Sequence, residues 1–513
     1  MTTAAWRGST GAVRAVQYFF IVAMTWGAVA CGSSGDRTPV APFHVVASSI
    51  AHAPTRAAFG PDGRLWVTHL DGSLTAAELA PDGSLSGVVR YLGLSGREDA
   101  GCLGIAFSPR DDELSFDVYV AHAPIGSRSP DCSEPAWPFA GRVSRLRGPT
   151  FDVVESVLEG LPCTGRSHGV NGLAFGDDGA LYVSVGGTTN AGVPTCAIGG
   201  VPESPVSSCI LRVDPPFAPG ARTLQYRDRA TSLAVDDQLL AADADLDPTP
   251  GVSIFATGLR NALPLAFDRG GQLWTVDNGA NSGEGEASRD ATTSQAIPNQ
   301  PDHLWLVPEG AYLGHPNRNR GRDAPRENVF GAAEAVDGTA LVPAAALAPS
   351  TNGLVDYRSQ ARPELVGSWI VQQMSSATLV VPTRGEPVEP QPLDIELPAL
   401  DLVAGPGGTL VGVDFIRDRI RVAVPIVSSS HPEPYDVFPD RGRSTGGQRA
   451  VVSGAGFPID TEVRFGGVTV QIEQQSATRL VVRTPALPPG DHDVEVVASG
   501  TTMVLPMAWR SLP

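Results

Sequence analysis

The chain has 513 residues, a formal net charge of −18 at pH 7 and a sequence isoelectric point of about 4.9. It has no lysine, so arginine supplies all of its permanently cationic side chains. An acidic chain without a concentrated basic patch does not suit a phosphate backbone, and we expect no nucleic-acid partner. The lack of lysine also excludes Schiff-base chemistry and a phosphate-loop lysine, because both require an amine.

The N-terminal residues 1–31 have the pattern of an export signal. Arg7 and Arg14 form a positive region, and the apolar run over 15–30 is short for a membrane-spanning helix. No other stretch of the sequence is long and apolar enough to cross a membrane. We therefore predict that the chain is exported.

A lipidation motif closes this segment. Ala28-Val29-Ala30-Cys31 resembles a lipobox, in which the cysteine becomes the lipid-bearing first residue of the mature protein. Residues 32–42, which begin with glycine and serine, are expected to form a flexible tether. These features predict a lipoprotein of the cell envelope, periplasmic or on the cell surface, that contacts the membrane only through its lipid. Ordinary secretion is the alternative.

Five further cysteines lie in the exported part of the chain. None belongs to a CxxC pair, so a zinc site is not expected, whereas an oxidising compartment permits disulfides. Cys102 lies in an apolar segment and is predicted to be a buried thiol. The expected pairs are Cys196 with Cys209 and Cys132 with Cys163, although the sequence does not fix the connectivity.

A strand–turn–strand unit recurs along the chain, while helical periodicity is nearly absent. Clear copies begin at Phe59, Phe175, Phe267 and Ala404, each with a glycine-containing tight turn between two apolar strands. Two weaker copies run from 104 to 120 and from 353 to 371. Six such copies predict a six-bladed β-propeller over 43–424, and a pair of β-sandwiches is the alternative that fits this regularity less well.

The C-terminal part has a different pattern. Residues 425–434 are rich in serine and proline and are expected to be a linker. Residues 435–513 contain Gly454-Ala-Gly-Phe457 and Phe465-Gly-Gly467 between alternating strands, and this pattern resembles the IPT/TIG domain. The resemblance implies an immunoglobulin-like β-sandwich that serves as a spacer or contacts glycan or protein. The predicted fold class of the whole chain is therefore all-β.

The predicted propeller resembles the glucose/sorbosone dehydrogenase family of quinoproteins. Four segments carry the resemblance in the same order and at similar spacing, namely 101–109, 167–183, 258–261 and 310–316. The resemblance implies a sugar (aldose) dehydrogenase that uses pyrroloquinoline quinone (PQQ) and calcium. A non-catalytic propeller lipoprotein that binds glycan or protein is the alternative.

The same resemblance implies roles for individual residues. His168 would be the general base that takes the proton from the sugar hydroxyl, and a neutral imidazole suits that task. Arg260 would polarise the quinone carbonyl as negative charge develops, and Asn261 would hold the edge of the cofactor. Calcium would bind backbone oxygens near Gly279 and Ala280.

The sequence also departs from the family pattern. The family neutralises the carboxylates of the quinone with lysine and arginine, whereas residues 371–376 have no basic side chain at the corresponding stretch. Gly186-Gly187 replaces a glycine–aspartate pair. Without those charges a trianionic cofactor is expected to bind weakly. Arg384, Arg417 and Arg419 are the arginines that could compensate, although the sequence does not place them in the site. Asp277, Glu284 and Glu286 could bind calcium or lie in a solvated loop, and the solvated loop is the prediction.

Overall fold

The chain forms two all-β units, a ring of sheets and a two-sheet sandwich, in a computed structural model. No helix among the described residues is long and apolar enough to cross a membrane. The predicted signal segment, Cys31 and the tether lie outside the described residues. The structure describes residues 43–50, 52–125, 131–133, 139–166, 168–217, 222–235, 243–374, 378–382, 389–427, 429 and 431–513.

The ring contains strands β1 to β30. The first half comprises β1 (Phe43–Ser49), β2 (Pro54–Phe59), β3 (Leu65–His69), β4 (Leu74–Leu79), β5 (Leu85–Tyr91), β6 (Gly101–Ala106), β7 (Asp117–Ala123), β8 (Gly141–Arg147), β9 (Val153–Leu161), β10 (Val170–Phe175), β11 (Leu181–Val185), β12 (Cys209–Val213), β13 (Arg222–Thr223), β14 (Tyr226–Asp228) and β15 (Ala234–Val235). The second half comprises β16 (Ala244–Leu246), β17 (Val252–Thr257), β18 (Ala262–Phe267), β19 (Leu273–Asp277), β20 (Ala287–Ser288), β21 (Ser294–Gln295), β22 (Asp302–Leu306), β23 (Ala345–Leu347), β24 (Thr351–Tyr357), β25 (Ser368–Gln373), β26 (Thr378–Pro382), β27 (Gln391–Leu393), β28 (Asp401–Ala404), β29 (Leu410–Asp414) and β30 (Arg419–Pro425). Short 3-10 helices lie at Arg320–Arg322, Pro325–Asn328, Pro363–Leu365 and Pro406–Gly408.

Six sheets of four or five strands, counted over the described residues, form the blades. Blade 1 is β2 to β5, blade 2 is β6 to β9 with β13, and blade 3 is β10 to β12 with β17. Blade 4 is β18, β19, β22 and β23, blade 5 is β24 to β27, and blade 6 is β28 to β30 with β1. The innermost strands β2, β6, β10, β18, β24 and β28 contact one another in this order, and β28 contacts β2. The arrangement is a closed six-bladed β-propeller, as the repeat predicts, and the pairing of β1 with β30 joins the two ends of the ring.

The recurring turns join each innermost strand to its neighbour in the same blade. In blade 1, Gly63 adopts a φ of +75°, which glycine accepts without the clash that a side chain would cause. The carboxylate of Asp62 accepts the indole N–H of Trp66 at 3.1 Å. In blade 4, Asp268 accepts the indole N–H of Trp274 at 3.0 Å. The aspartate of the turn therefore anchors the aromatic side chain of the next strand.

The two ends of the propeller carry different loops. We call the end at which the innermost strands begin the upper face, and the end with the tight turns the lower face. Long loops over 186–208 and 278–301 lie on the upper face of blades 3 and 4. The segment 307–344 follows β22 and reaches the same face, where the His315 amide donates to the Gly258 carbonyl at 2.8 Å.

The C-terminal unit is a sandwich of two sheets, with strand orders β31-β33-β37-β36 and β32-β39-β38-β34-β35. Its core includes Phe465, Leu480 and Trp509 from both sheets. This is the immunoglobulin-like architecture that the glycine pattern predicts. The strands are β31 (Glu433–Phe438), β32 (Arg441–Arg443), β33 (Arg449–Ala455), β34 (Glu462–Phe465), β35 (Val468–Val470), β36 (Ile472–Gln475), β37 (Arg479–Arg483), β38 (Gly490–Ala498) and β39 (Thr501–Leu512).

The sandwich contacts the lower face of the propeller through charged side chains. Asp177, in the turn of blade 3, accepts from Arg441 at 2.7 Å and from Arg510 at 2.9 Å. Arg443 lies 3.3 Å from Asp112 of blade 2. A cavity of about 420 Å³ lies between the innermost strands, and residues 436–440 of the sandwich border it. The C-terminal unit therefore contributes to the lining of the central cavity.

Candidate active site

His168 lies in the connection between blades 2 and 3, two residues before β10. Its Nδ1 is 2.8 Å from the carbonyl oxygen of Gly187. Because a carbonyl only accepts, Nδ1 carries the proton and Nε2 keeps a lone pair. Burial, together with the nearby Arg260 cation, lowers the pKa of His168 to about 3. The imidazole is therefore neutral at neutral pH, with its basic nitrogen fixed as Nε2.

Arg260 lies in the connection between blades 3 and 4 and is almost fully buried. Its Nε donates to the backbone and side-chain oxygens of Asn190, both at 3.2 Å, and Nη2 donates to the side-chain oxygen at 3.0 Å. Nη2 also lies 3.5 Å from Glu284. These contacts fix the plane of the guanidinium group.

Asp277 fixes the backbone next to this arginine. Its two carboxylate oxygens accept the amide of Arg260 at 3.0 Å and the amide of Asn261 at 2.7 Å. Asp277 is buried, and burial raises its pKa. The expectation of a solvated loop is wrong for Asp277, because the turn folds back over the carboxylate to satisfy two amides. It is also wrong for Glu284, which is two-thirds buried beside Arg260.

Gly186 and Gly187 join the predicted residues into one cluster. The amide of Gly187 donates to the carbonyl of Arg260 at 2.7 Å, while its own carbonyl accepts from His168. A β-carbon on Gly186 would lie 3.1 Å from the side-chain oxygen of Asn261 and 3.4 Å from the β-carbon of His168. His168, Arg260 and Asn261 are therefore brought together around this dipeptide. We define the polar cluster as His168, Gly187, Asn190, Arg260, Asn261 and Asp277.

Close packing explains why a glycine replaces the family's aspartate at position 187. A β-carbon there would lie 2.8 Å from Nε2 of His315 and 2.8 Å from the hydroxyl of Ser208. These distances are shorter than real β-carbon contacts, so no side chain fits without movement of its neighbours. A backbone carbonyl, rather than a carboxylate, is consequently the partner of His168.

Two nitrogens of the polar cluster remain open. Nε2 of His168 and Nη1 of Arg260 have no hydrogen-bond partner among the described residues. Neither atom is completely shielded from solvent. One is a lone-pair acceptor and the other is a donor that carries part of a positive charge. The cluster therefore presents a base and an electrophilic donor to a ligand.

The predicted calcium position lies in the loop after β19. The amide of Gly279 donates to Asp302 at 2.8 Å, and the carbonyl of Ala280 accepts the amide of Gln300 at 2.8 Å. Burial raises the pKa of Asp302 to about 7 despite its hydrogen bonds from Gly279, Thr351 and Asn278. Within the described ranges, no three His, Cys, Asp or Glu side chains form a group that could hold a metal ion.

An apolar cluster lies on the upper face of blades 1, 5 and 6, beside charged residues of the same face such as Asp71, Arg90 and Arg417. Met374, Leu400 and Phe415 are each at most 3 % exposed and pack together. Met374 belongs to the stretch in which the family resemblance leads one to expect cations. We define the apolar cluster as Ala53, Leu70, Met374, Leu400 and Phe415, against which Ile125 and Ile416 pack.

The disulfide predictions are wrong. The structure has a Cys132–Cys196 bridge with a Cα–Cα distance of 5.5 Å, and Cys163 and Cys209 are buried thiols outside this bridge. Cys132 lies between β7 and β8, and Cys196 lies between β11 and β12, so neighbouring blades bring two upper loops together across 64 residues of sequence. The Cys209 thiol instead donates to the carbonyl of Val206 at 3.0 Å.

Sequence reasoning missed two residues that organise the cluster, Asn190 and Glu203. Both lie in the loop over 186–208, which has no strand periodicity. Asn190 binds the guanidinium group of Arg260 and also accepts the amide of Asn281 at 3.0 Å. His315, which the sequence analysis did not assign to the site, lies 3.0 Å from Glu203. The one sequence feature that could have indicated Glu203 is that it is a carboxylate in a loop of mostly small residues.

Comparison with protein families identifies the C-terminal unit. Residues 432–506 match the IPT/TIG domain. This match covers both sheets of the sandwich and agrees with the Gly-Ala-Gly-Phe and Phe-Gly-Gly patterns. No curated protein matches the sequence.

Solved structures similar to the chain include sugar dehydrogenases. A glucose dehydrogenase is 18 % identical, covering 74 % of this chain and 100 % of its own, with a TM-score of 0.47. The PQQ-bound aldose sugar dehydrogenase of Streptomyces coelicolor is 19 % identical over 75 % and 99 %, with a TM-score of 0.47. The PQQ domain of pyranose dehydrogenase from Coprinopsis cinerea is 13 % identical over 75 % and 98 %, with a TM-score of 0.46. At these values the resemblances assign no activity, and the chemistry rests on the side chains of this chain.

Proposed function

We propose that this chain is an oxidoreductase of the sugar-dehydrogenase type that oxidises a hydroxyl-bearing carbon of an aldose. PQQ is the proposed electron acceptor, and a bound quinone would supply the centre that receives the hydride. One observation carries the proposal. The polar cluster fixes a neutral base, His168, beside a buried cation, Arg260, and one nitrogen of each has no hydrogen-bond partner among the described residues.

The roles of the residues follow from their contacts. His168 Nε2 would accept the proton of the sugar hydroxyl, while Nδ1–H stays bound to Gly187. Arg260 would stabilise negative charge as it develops on the acceptor, and its bonds to Asn190 hold it in place for this. Asn261 is fixed by Asp277 and by Asn171, whose side-chain amide donates to it at 2.9 Å. Little reorganisation of the protein is needed during the reaction.

The residues fit one side of PQQ better than the other. Arg260 and Asn261 offer donors for the reacting carbonyl edge, whereas the apolar cluster offers no charge to the carboxylates. We therefore propose that the quinone is held through the polar cluster and is held weakly. Calcium remains part of the proposal at the backbone oxygens of Gly279 and Ala280, although the Ala280 carbonyl already accepts one amide.

A second candidate function is binding without catalysis. Two observations favour it. The central cavity of about 420 Å³ does not include His168, Arg260 or Asn261 in its lining, and Met374 is buried in an apolar cluster. In this case the upper face or the IPT/TIG domain would contact glycan or protein.

Turnover with added quinone distinguishes the two functions. The protein is mixed with PQQ and calcium, and reduction of an artificial dye is followed with aldoses and with a buffer blank. We expect aldose-dependent reduction that falls about 10²–10⁴-fold in His168→Gln. His492→Gln, which changes a partly exposed histidine of the IPT/TIG domain, is the matched control. Absence of both a PQQ-induced rise in Tm and dye reduction would favour the binding function.

We further propose that the protein is lipid-anchored in the cell envelope. The support is the positive region, the apolar run and the motif ending at Cys31. Cell fractionation tests this: the wild-type chain should sediment with membranes, and Cys31→Ser should be released. Identical fractionation of both forms would contradict the anchor.

A further inference from the structure

Glu203 is a buried carboxylate that the proposed chemistry has not used. It is 4 % exposed, and its oxygens accept hydrogen bonds from two amides, three hydroxyl groups and one imidazole. Burial alone would raise its pKa, but the hydrogen bonds from His315, Ser207 and Thr189 lower the pKa to about 2. The donors are Thr188 N at 3.3 Å, Thr189 N at 3.0 Å, Thr189 Oγ1 at 2.6 Å, Ser207 Oγ, Ser208 Oγ at 2.9 Å and His315 Nε2 at 3.0 Å. Glu203 is therefore an ionised and fully bonded anchor of the loop.

One of these bonds continues to His168 through a single peptide group. The amide of Thr188 and the carbonyl of Gly187 belong to the same planar trans peptide, so they point in opposite directions. The amide donates to Glu203, and the carbonyl accepts Nδ1–H of His168 at 2.8 Å. Glu203 and His168 thus lie on opposite sides of one peptide plane, and rotation of this plane would break both bonds.

The charge of Glu203 also acts along this path. A carboxylate that accepts the N–H of a peptide polarises the peptide and makes its carbonyl oxygen a better acceptor. This polarisation is stronger in a low-dielectric interior than in water, and both ends of this path are buried. No room exists at position 187 for a carboxylate that would contact His168 directly, since a β-carbon there would lie 2.8 Å from His315.

We infer that Glu203 is the positioning residue for His168, and that it acts through the Gly187–Thr188 peptide to hold the imidazole as the Nδ1–H form. The inference concerns the tautomer and orientation of His168, and it rests on the proposed function only for its catalytic consequence. It predicts a measurable effect of Glu203 on a side chain that it does not touch.

Nitrogen-15 NMR of histidine-labelled full-length protein tests the inference without any turnover. Protonated and unprotonated ring nitrogens have distinct shifts, and the His168 signals are assigned by their loss in His168→Gln. We expect a single Nδ1–H tautomer in the wild type and a mixture of tautomers in Glu203→Gln. Glu203→Asp keeps the charge on a shorter side chain and should give an intermediate result. An unchanged His168 tautomer in folded Glu203→Gln would overturn the inference.

A second buried glutamate provides the control. Glu327 accepts from Arg320 at 2.7 Å and from Thr257 at 3.1 Å and does not contact the 187–188 peptide. Glu327→Gln should leave the His168 tautomer unchanged even if it lowers Tm. If Glu203→Gln does not fold, a wild-type tautomer in Glu203→Asp together with full turnover would overturn the inference.

The turnover readout separates this inference from the proposed function. We expect kcat of Glu203→Gln to fall about tenfold with KM within about twofold, since orientation of the base is altered and sugar contacts are not. A changed tautomer in a protein that never turns over would refute the proposed function and leave the role of Glu203 intact. A normal kcat together with a normal His168 tautomer in Glu203→Gln would refute the role of Glu203 and leave the proposed function intact.

Discussion

Two clusters on the propeller's upper face contain opposite kinds of side chain. The polar cluster on blades 3 and 4 buries an arginine, a histidine and an aspartate and satisfies nearly all their polar atoms. The apolar cluster on the other blades packs Met374 and Phe415 at the equivalent strand ends. In both clusters the residues lie just before the innermost strand of a blade or at the end of the second strand. The same positions of the fold therefore supply both clusters.

The same scaffold therefore carries two different kinds of cluster at one end of the ring. On the polar side, long loops supply Asn190 and Glu203, which a propeller with short connections would lack. On the apolar side, the side chains of the apolar cluster pack against one another. The two clusters should therefore respond differently to substitution, to pH and to ligand.

Removal of Arg260 should have the largest effect. Arg260→Ala removes one donor from Asn190 and from the partly buried Glu284, each of which keeps a bond from Asn281, and it removes the cation beside the proposed acceptor. We expect turnover to fall about 10²–10³-fold, and the free energy of unfolding to fall by about 3 kcal/mol. Dye reduction and urea denaturation measure the two effects. Arg260→Ala with wild-type turnover would show that the polar cluster is only structural.

Truncation in the apolar cluster should change stability and leave chemistry intact. Phe415 is 2 % exposed, and Phe415→Ala is expected to cost about 3 kcal/mol of unfolding free energy through lost contacts and a cavity. Phe415→Leu, which preserves most of the volume, should cost about 1 kcal/mol. With equal folded protein, kcat should match the wild type. A large fall in kcat would mean that ligand reaches this side after all.

Buried groups act in both directions in acid: the buried histidines weaken the fold, whereas the Asp302 carboxyl, whose pKa burial raises to about 7, opposes them. Burial lowers the pKa of His69 and His122 to about 4 and that of His168 to about 3. Their contribution to stability is complete above about pH 6.5 and is lost as the pH falls towards 4, because the unfolded chain then binds protons that the folded chain does not. Tm is measured from pH 8 to pH 4. It should decrease as the pH drops below about 6.5, and His168→Gln should make this decrease smaller. His492→Gln should not.

Charged contacts outside both clusters should matter least. Asp177 accepts from Arg441 and Arg510 at the partly exposed contact with the IPT/TIG domain. Asp177→Asn should lower the unfolding free energy by about 1 kcal/mol or less, and the loss should shrink at high salt. A loss above about 3 kcal/mol would mean that this contact is a main support of the propeller.

The fold was largely predictable from the sequence, whereas the site was predictable only in part. Strand alternation and the Asp-Gly turns are local signals, and they indicate six blades directly. His168 and Arg260 could be named as candidate site residues because they lie within such patterned segments. Glu203 and the Cys132–Cys196 bridge could not be named, since both depend on the folding of long loops without periodicity. The burial of Asp277 depends on a backbone that turns back over it, which composition does not reveal.

Titration with PQQ at two salt concentrations tests the central claim most directly, that the ligand is held by the polar cluster and not through its carboxylates. Calorimetry or the PQQ-induced rise in Tm, with calcium present, reports the affinity at about 0.05 M and about 0.5 M NaCl. We expect weak binding that changes about twofold or less with salt and is lost in Arg260→Ala. Tight binding that falls steeply with salt and persists in Arg260→Ala would contradict this account, as would no binding at any concentration.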